Sequence, residues 1–162
     1  ALCHLVFHAF MKIGAFFCAG SIIHQTEKHY VHELDGLGRK MPIVFTVFTI
    51  SALSLMGVHG LSGFESKWYL CSAAAESGSI LSYVGIGVLL ISALLTAIYM
   101  LTIVVRAFLP GNSFDYGKVE KYSDPNWKMI VPLVAVTIAT IVFGLYAEPF
   151  VEIFKDVAMG RF

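Results

Sequence analysis

Apolar residues fill this chain in long blocks, and polar residues collect in short intervals between them. About 20 apolar residues in a helix cross the ~30 Å hydrocarbon core of a membrane. Four blocks reach that scale: residues 1–24, 42–76, 80–109 and 129–147. Residues 148–162 mix apolar and charged positions and read as an amphipathic tail. The second block is too long for one straight crossing, since 35 residues rising 1.5 Å each extend about 50 Å. Its middle, GVHGLSG at 57–63, holds three glycines in seven residues, which weakens a helix. The pattern predicts two half-helices, 42–56 and 64–76, joined by a short break and making one crossing. Such breaks persist in a membrane only where the freed backbone groups face protein or water, and they recur where ions bind. A tight hairpin of two re-entrant segments is the other reading of this block. The expected fold is an all-α membrane protein with about four transmembrane spans, the second discontinuous, in a single membrane domain over 1–162.

Breakers support these limits. Pro42 suits the first turn of a helix, where its missing N–H is no loss, and Pro132 is expected to be tolerated early in the fourth span for a similar reason. Pro110-Gly111-Asn112-Ser113 ends the third span. The polar loop that follows offers Tyr122 and Trp127 as membrane-interface anchors.

Composition agrees with the membrane class. Hydrophobic residues make up 57% and charged residues only 14%, against about 25% charged in soluble domains, and the mean hydropathy is +0.77. The formal net charge of zero gives no pull toward nucleic acid. No phosphate-cradling glycine loop, CxxC pair, GxSxG elbow, or haem, flavin or iron–sulfur ligand pattern occurs. The three cysteines, Cys3, Cys18 and Cys71, sit in apolar contexts and are expected to be reduced, buried small hydrophobes. The chain opens on Ala inside an apolar helix, without a charged leader region or a small-residue cleavage site, so it reads as a piece of something longer and not as a signal peptide.

Loop charges set an orientation. Lys28, Arg39 and Lys40 follow the first span, and Arg106, Lys118, Lys121 and Lys128 surround the connection after the third. The opposite side has only Lys155 and Arg161, so the balance is seven against two. Basic loops stay in the cytoplasm, which places both chain ends on the outer face if the second block crosses once. A bacterial or archaeal cytoplasmic membrane is expected, in preference to an organellar inner membrane.

Against this background the stretch HLVFHAFMK is costly. His4, His8 and Lys12 recur every four residues, so at 100° per residue they share an arc of about 80°. Neighbours lie about 6 Å apart along the axis, a spacing suited to bridging by one or two waters. Histidine titrates near physiological pH and suits proton relay. Ionisable groups at mid-membrane usually face a bundle interior or a water-filled path. The bland alternative is histidines bonded to neighbouring helices and a lysine that snorkels, but Lys12 sits near the centre of its span. Lys67 is a second cation in apolar surroundings, just after the break in GFESKWYL. Glu65 points nearly 200° away from it on a helix, so a direct pair is not expected. Glu65 and His59, the latter within the break, are candidate relay or gate groups. The loop HQTEKHYVHELDGLGRK carries His24, His29 and His32 at H-x4-H-x2-H spacing, a weak metal signature. A solvated loop with a short amphipathic helix is expected there, with no metal ligand assigned.

In order, HLVFHAFMKIGAFFCAGSII, LDGLGRKMP and a glycine-broken segment ending SGFESKW resemble the antiporter-like subunits of respiratory complex I. Subunits of Mrp cation/proton antiporters and of membrane-bound hydrogenases share the pattern. The resemblance covers roughly residues 1–105. It implies a fold of about fourteen membrane helices with two inverted five-helix repeats, of which this chain is the C-terminal third. It implies that His4, His8, Lys12 and Lys67 belong to a hydrated polar axis coupled to proton transfer. Many relatives carry Pro-Pro where this chain has His59-Gly60. The family's earlier glutamate and lysine are absent from this sequence, so a longer chain or a separately encoded membrane subunit would supply them. The function implied is that of a proton-translocating subunit in a redox-driven complex of the NADH:quinone oxidoreductase or hydrogenase type. The chain itself holds no cofactor; quinone, flavin and iron–sulfur clusters would sit in partner subunits. A sodium/proton antiporter subunit is the second reading, and a non-conducting membrane scaffold, surrounded by lipid and other subunits, the third.

Overall fold

A computed structural model describes residues 2–111 and 114–160, apart from the side chain of Lys118. Ala1, the Asn112-Ser113 half of the expected breaker and the Arg161-Phe162 end of the expected tail lie outside the described residues. Six α-helices make up the described chain: α1 (Leu2–Thr26), α2 (Pro42–Met56), α3 (Ser62–Glu76), α4 (Ile80–Phe108), α5 (Trp127–Leu145) and α6 (Ala147–Met159). Helices α1, α4 and α5 are long and apolar enough to cross a membrane, and α2 is a shorter apolar helix. No strand occurs among the described residues.

The bundle core forms where α1, α2 and α5 meet. Phe7, Met11 and Cys18 of α1, Val44, Phe45 and Ala52 of α2, and Leu133 of α5 are buried in it. Aromatic contacts close one end: Phe7 stacks on Phe143 with ring centroids 5.1 Å apart, and Phe150 of α6 meets Phe143 edge-on at 4.8 Å. Only Ala107 of α4 is buried, so most of that apolar helix faces outward, as lipid or further protein would require.

The course of α2 and α3 follows from their shared neighbour. Along α1, Gly14 lies against Ser51, Met11 against Gly63, and His4 against Ser66. As the chain advances from 51 to 66, its partner on α1 retreats from 14 to 4. Residues 57–61 separate the two helices. Gly57 caps α2 in the left-handed region at φ 96°, and its N–H bonds the Leu53 and Ser54 carbonyls, a conformation glycine adopts without a Cβ penalty.

The opposite end of the bundle holds the two long loops, which are more ordered than solvated loops would be. The first has two short 3₁₀ turns, Val31–Glu33 and Leu37–Arg39, in place of the expected amphipathic helix. Leu37 is fully buried, because the loop tucks under α4: the Gly36 N–H bonds the Arg106 carbonyl at 3.1 Å. The Tyr30 N–H, followed by that of His29, bonds the Glu33 carboxylate and holds it below the usual carboxylate range. An Arg106–Asp35 ion pair at 3.5 Å is long and half-exposed, so its contribution is at most about 1 kcal/mol. Tyr122 is half-buried beneath the Lys28 and Lys121 ammoniums at 5.3 and 5.0 Å, so it packs within the loop end. Trp127, by contrast, is exposed at the start of α5. Asp124 accepts the Ile43 and Val44 N–H groups, both at 3.2 Å. This carboxylate from the far loop caps the N-terminus of α2, where a negative charge opposes the helix dipole favourably.

Two smaller expectations need correction. Helix α5 starts at Trp127, so Pro132 lies beyond the first turn, and the Lys128 carbonyl loses its usual i+4 donor. Of the cysteines only Cys18 is buried; Cys3 and Cys71 are partly exposed.

Candidate functional site

The sequence-marked residues gather along one flank of α1 and across the break. The His4 and His8 rings lie 5.5 Å apart between centroids, tilted by 32°. Each is half-buried, whereas Lys12 is exposed on the surface of α1. The stripe therefore runs from the half-buried His4 and His8 to the open flank at Lys12. Among the described residues the one ion pair joins Arg106 and Asp35, so neither Lys12 nor Lys67 has a carboxylate partner there.

Lys67 finds its partners in the backbone. Its ammonium donates to the Leu55 carbonyl at 2.6 Å and the Met56 carbonyl at 3.2 Å. These are final carbonyls of α2, left without helical donors by the break and carrying the negative end of the helix dipole. The Lys67 side chain lies over Gly57, where a Cβ would sit in ordinary contact at 3.5 Å from Cδ and 3.6 Å from Nζ. Glu65 is half-buried and makes no ion pair with Lys67 among the described residues. His59 is exposed at the break, edge-on to the Phe64 ring at 4.7 Å.

A row of hydroxyls, not singled out from the sequence, ties the break to α1. Ser54 and Ser62 face each other at 3.2 Å, and the Gly63 N–H donates to Ser54 Oγ at 3.2 Å. Ser66 Oγ bonds the Gly63 carbonyl at 3.2 Å and lies 3.0 Å from His4 Nδ1. All three serines are buried. The i, i+4 spacing of Ser62 and Ser66 put them on one helix face and was the available signal. Ser51 Oγ is buried without a partner beside Gly14. A cavity of about 570 Å³ opens beside His4 and Ser66, with Cys3, Tyr69, Glu76 and Lys155 also in its wall. The first-loop histidines form no cluster able to hold a metal ion among the described residues.

An apolar helical bundle with three helices long and apolar enough to cross a membrane, with His4, His8 and Lys12 on one of them and a lysine on the open carbonyls of another helix, has the character of a polytopic membrane protein. The family model described as NADH:quinone oxidoreductase/Mrp antiporter, TM matches residues 1–96, and the chain belongs to that family. It is 33% identical over 161 residues to NADH-quinone oxidoreductase subunit N of Desulforudis audaxviator, covering 94% of this chain and 32% of that protein. Against NADH-quinone oxidoreductase subunit L of Rickettsia typhi the identity is 36% over 145 residues, covering 90% of this chain and 22% of the relative. F(420)H(2) dehydrogenase subunit N of Methanosarcina mazei is 32% identical over 161 residues, with 94% of this chain and 31% of the relative covered. The fold also matches a chain of the Mrp complex from Dietzia sp. with a TM-score of 0.75 at 23% identity, over 91% of this chain and 34% of that one. The chain thus spans about a third or less of the relatives it matches.

Proposed function

We propose that this chain is the C-terminal part of a proton-translocating membrane subunit within a larger complex, and that it relays protons through His4, His8, Lys12 and Lys67 with intervening water. The observation that carries this reading is Lys67 on the open end of α2. A cation held only by two carbonyls, with no carboxylate beside it among the described residues, can give up and regain its proton without breaking an ion pair. The 5.5 Å between the His4 and His8 rings suits a bridging water. Family membership supports the same reading.

In this proposal α2 and α3 form one discontinuous crossing, giving four spans, with the basic loops cytoplasmic and α6 at the outer face. The exposed flank of α1 at Lys12 is where the remaining helices of the subunit would pack, from a longer chain or a separate subunit. Those helices would cover Lys12 and complete the path. His59 and Glu65, near the break, would act as gate groups. Redox cofactors would be held by other subunits.

Replacing Lys12 with alanine in the intact complex is expected to lower proton uptake into vesicles by about a hundredfold, the scale of a lost proton-transfer group, with the subunit still assembled. Normal uptake would contradict the assignment. The same vesicles separate proton pumping from sodium/proton exchange: varying sodium at a fixed proton gradient is expected to leave the flux unchanged, and sodium-stimulated flux would favour the antiporter reading.

A further inference from the structure

His4 has one nitrogen spoken for. Its Nδ1 lies 3.0 Å from Ser66 Oγ, and that hydroxyl also bonds the Gly63 carbonyl at 3.2 Å. A serine hydroxyl has one proton to donate and lone pairs to accept with. The carbonyl can only accept, so the Ser66 proton goes to Gly63, the common back-bond of a helical serine. The remaining contact then requires Nδ1–H of His4 to donate to Ser66 Oγ. Ser66 is 2% exposed and Gly63 is buried, so water does not compete for these groups.

We propose that Ser66 is a positioning residue that fixes His4 as the Nδ1–H tautomer and makes Nε2 the one atom at which His4 exchanges protons. The partner of one ring nitrogen decides the state of the other. In the neutral ring Nε2 carries the free lone pair. A hydronium in the adjoining cavity, or a protonated His8 acting through water, gives its proton to Nε2: one O–H or N–H bond breaks and one N–H bond forms. The resulting imidazolium keeps its Nδ1–H on Ser66, and the charge strengthens that bond. The proton leaves from the same atom. His4 therefore loads and unloads without turning its ring, and it does not pass a proton from one nitrogen to the other. Its position in the cavity wall, beside Tyr69, Glu76 and Lys155, suits an exchange station at the end of the stripe.

This inference deepens the relay reading and rests on it for its transport consequence, but the tautomer is measurable by itself. Nitrogen-15 spectra of histidine-labelled intact complex, recorded where His4 is neutral and assigned by difference against His4→Gln, are expected to show Nδ1–H. Ser66→Ala is expected to shift the ring toward Nε2–H, and Ser66→Thr, which keeps a hydroxyl, to retain Nδ1–H. Proton uptake should fall about tenfold or more in Ser66→Ala and recover in Ser66→Thr. A wild-type Nε2–H tautomer, or a tautomer unchanged in Ser66→Ala, overturns the assignment. Normal uptake in His4→Gln overturns the relay reading instead, and the tautomer then decides the role of Ser66 alone.

Discussion

Replacing Lys67 with alanine in the assembled complex lowers proton translocation by about a hundredfold or more, while replacing it with arginine holds the fold and still fails to restore transport. The two substitutions separate the roles this lysine fills. Its ammonium caps α2 by bonding the Leu55 and Met56 carbonyls, and losing both bonds leaves partly buried acceptors short of donors, at about 1–3 kcal/mol. Alanine therefore also lowers thermal stability. Arginine supplies a cation and several donors to the same carbonyls, so the cap survives. Its guanidinium, however, stays protonated at any working pH and cannot take part in relay. If capping were the whole function, Lys67→Arg would pump. Acidification of vesicles, followed with a pH-sensitive dye beside a measurement of assembled subunit, distinguishes the cases.

The second large effect is structural. Gly63→Ala destabilises the subunit by about 3 kcal/mol or more, toward the upper end of overpacking effects, and lowers the amount of assembled complex. A Cβ at Gly63 would collide with the Ser54 carbonyl and reach within 3.0 Å of Met11 Sδ. The collision is with backbone of α2, which cannot swing aside as a flexible side chain would. The missing Cβ lets the start of α3 sit against the end of α2 and beside α1, the close approach that small residues permit between membrane helices. It also brings Ser62 to Ser54 and Ser66 to His4. Gly85→Ala on the outward-facing α4, where a Cβ meets nothing within 4 Å, is the control and should be tolerated. The melting temperature of the solubilised complex reads both variants, and equal stability would contradict this packing.

Apolar patterning located the helices well. The observed limits of α1, α4 and α5 fall within two residues of those expected from the runs alone, because a membrane span is set by unbroken hydrophobic length. Glycine content marked residues 57–63, and α2 ends at Met56 with α3 starting at Ser62. What periodicity could not supply was the identity of neighbours. The stripe His4–His8–Lys12 was legible as a stripe, but which part of it turns into the bundle depends on how α1 rotates against α2, α3 and α5, and Lys12 proves to lie on the open side. Lys67 drew attention as a cation in apolar surroundings, yet its partners are carbonyls, which every residue carries and no sequence pattern marks. Asp124 caps a helix 80 residues away, a contact made by folding alone. The orderliness of the first loop was hidden for a similar reason: its polar sequence reads as solvated, and only docking against α4 buries Leu37.

The most direct test of a hydrated relay is a map of the assembled complex at a resolution that shows ordered water. It should show waters bridging the His4 and His8 rings, 5.5 Å apart, and continuing to Lys12 under the helices that cover its flank. A dry, apolar seam along α1, with Lys12 locked in a static ion pair, would contradict the relay and make this chain a scaffold.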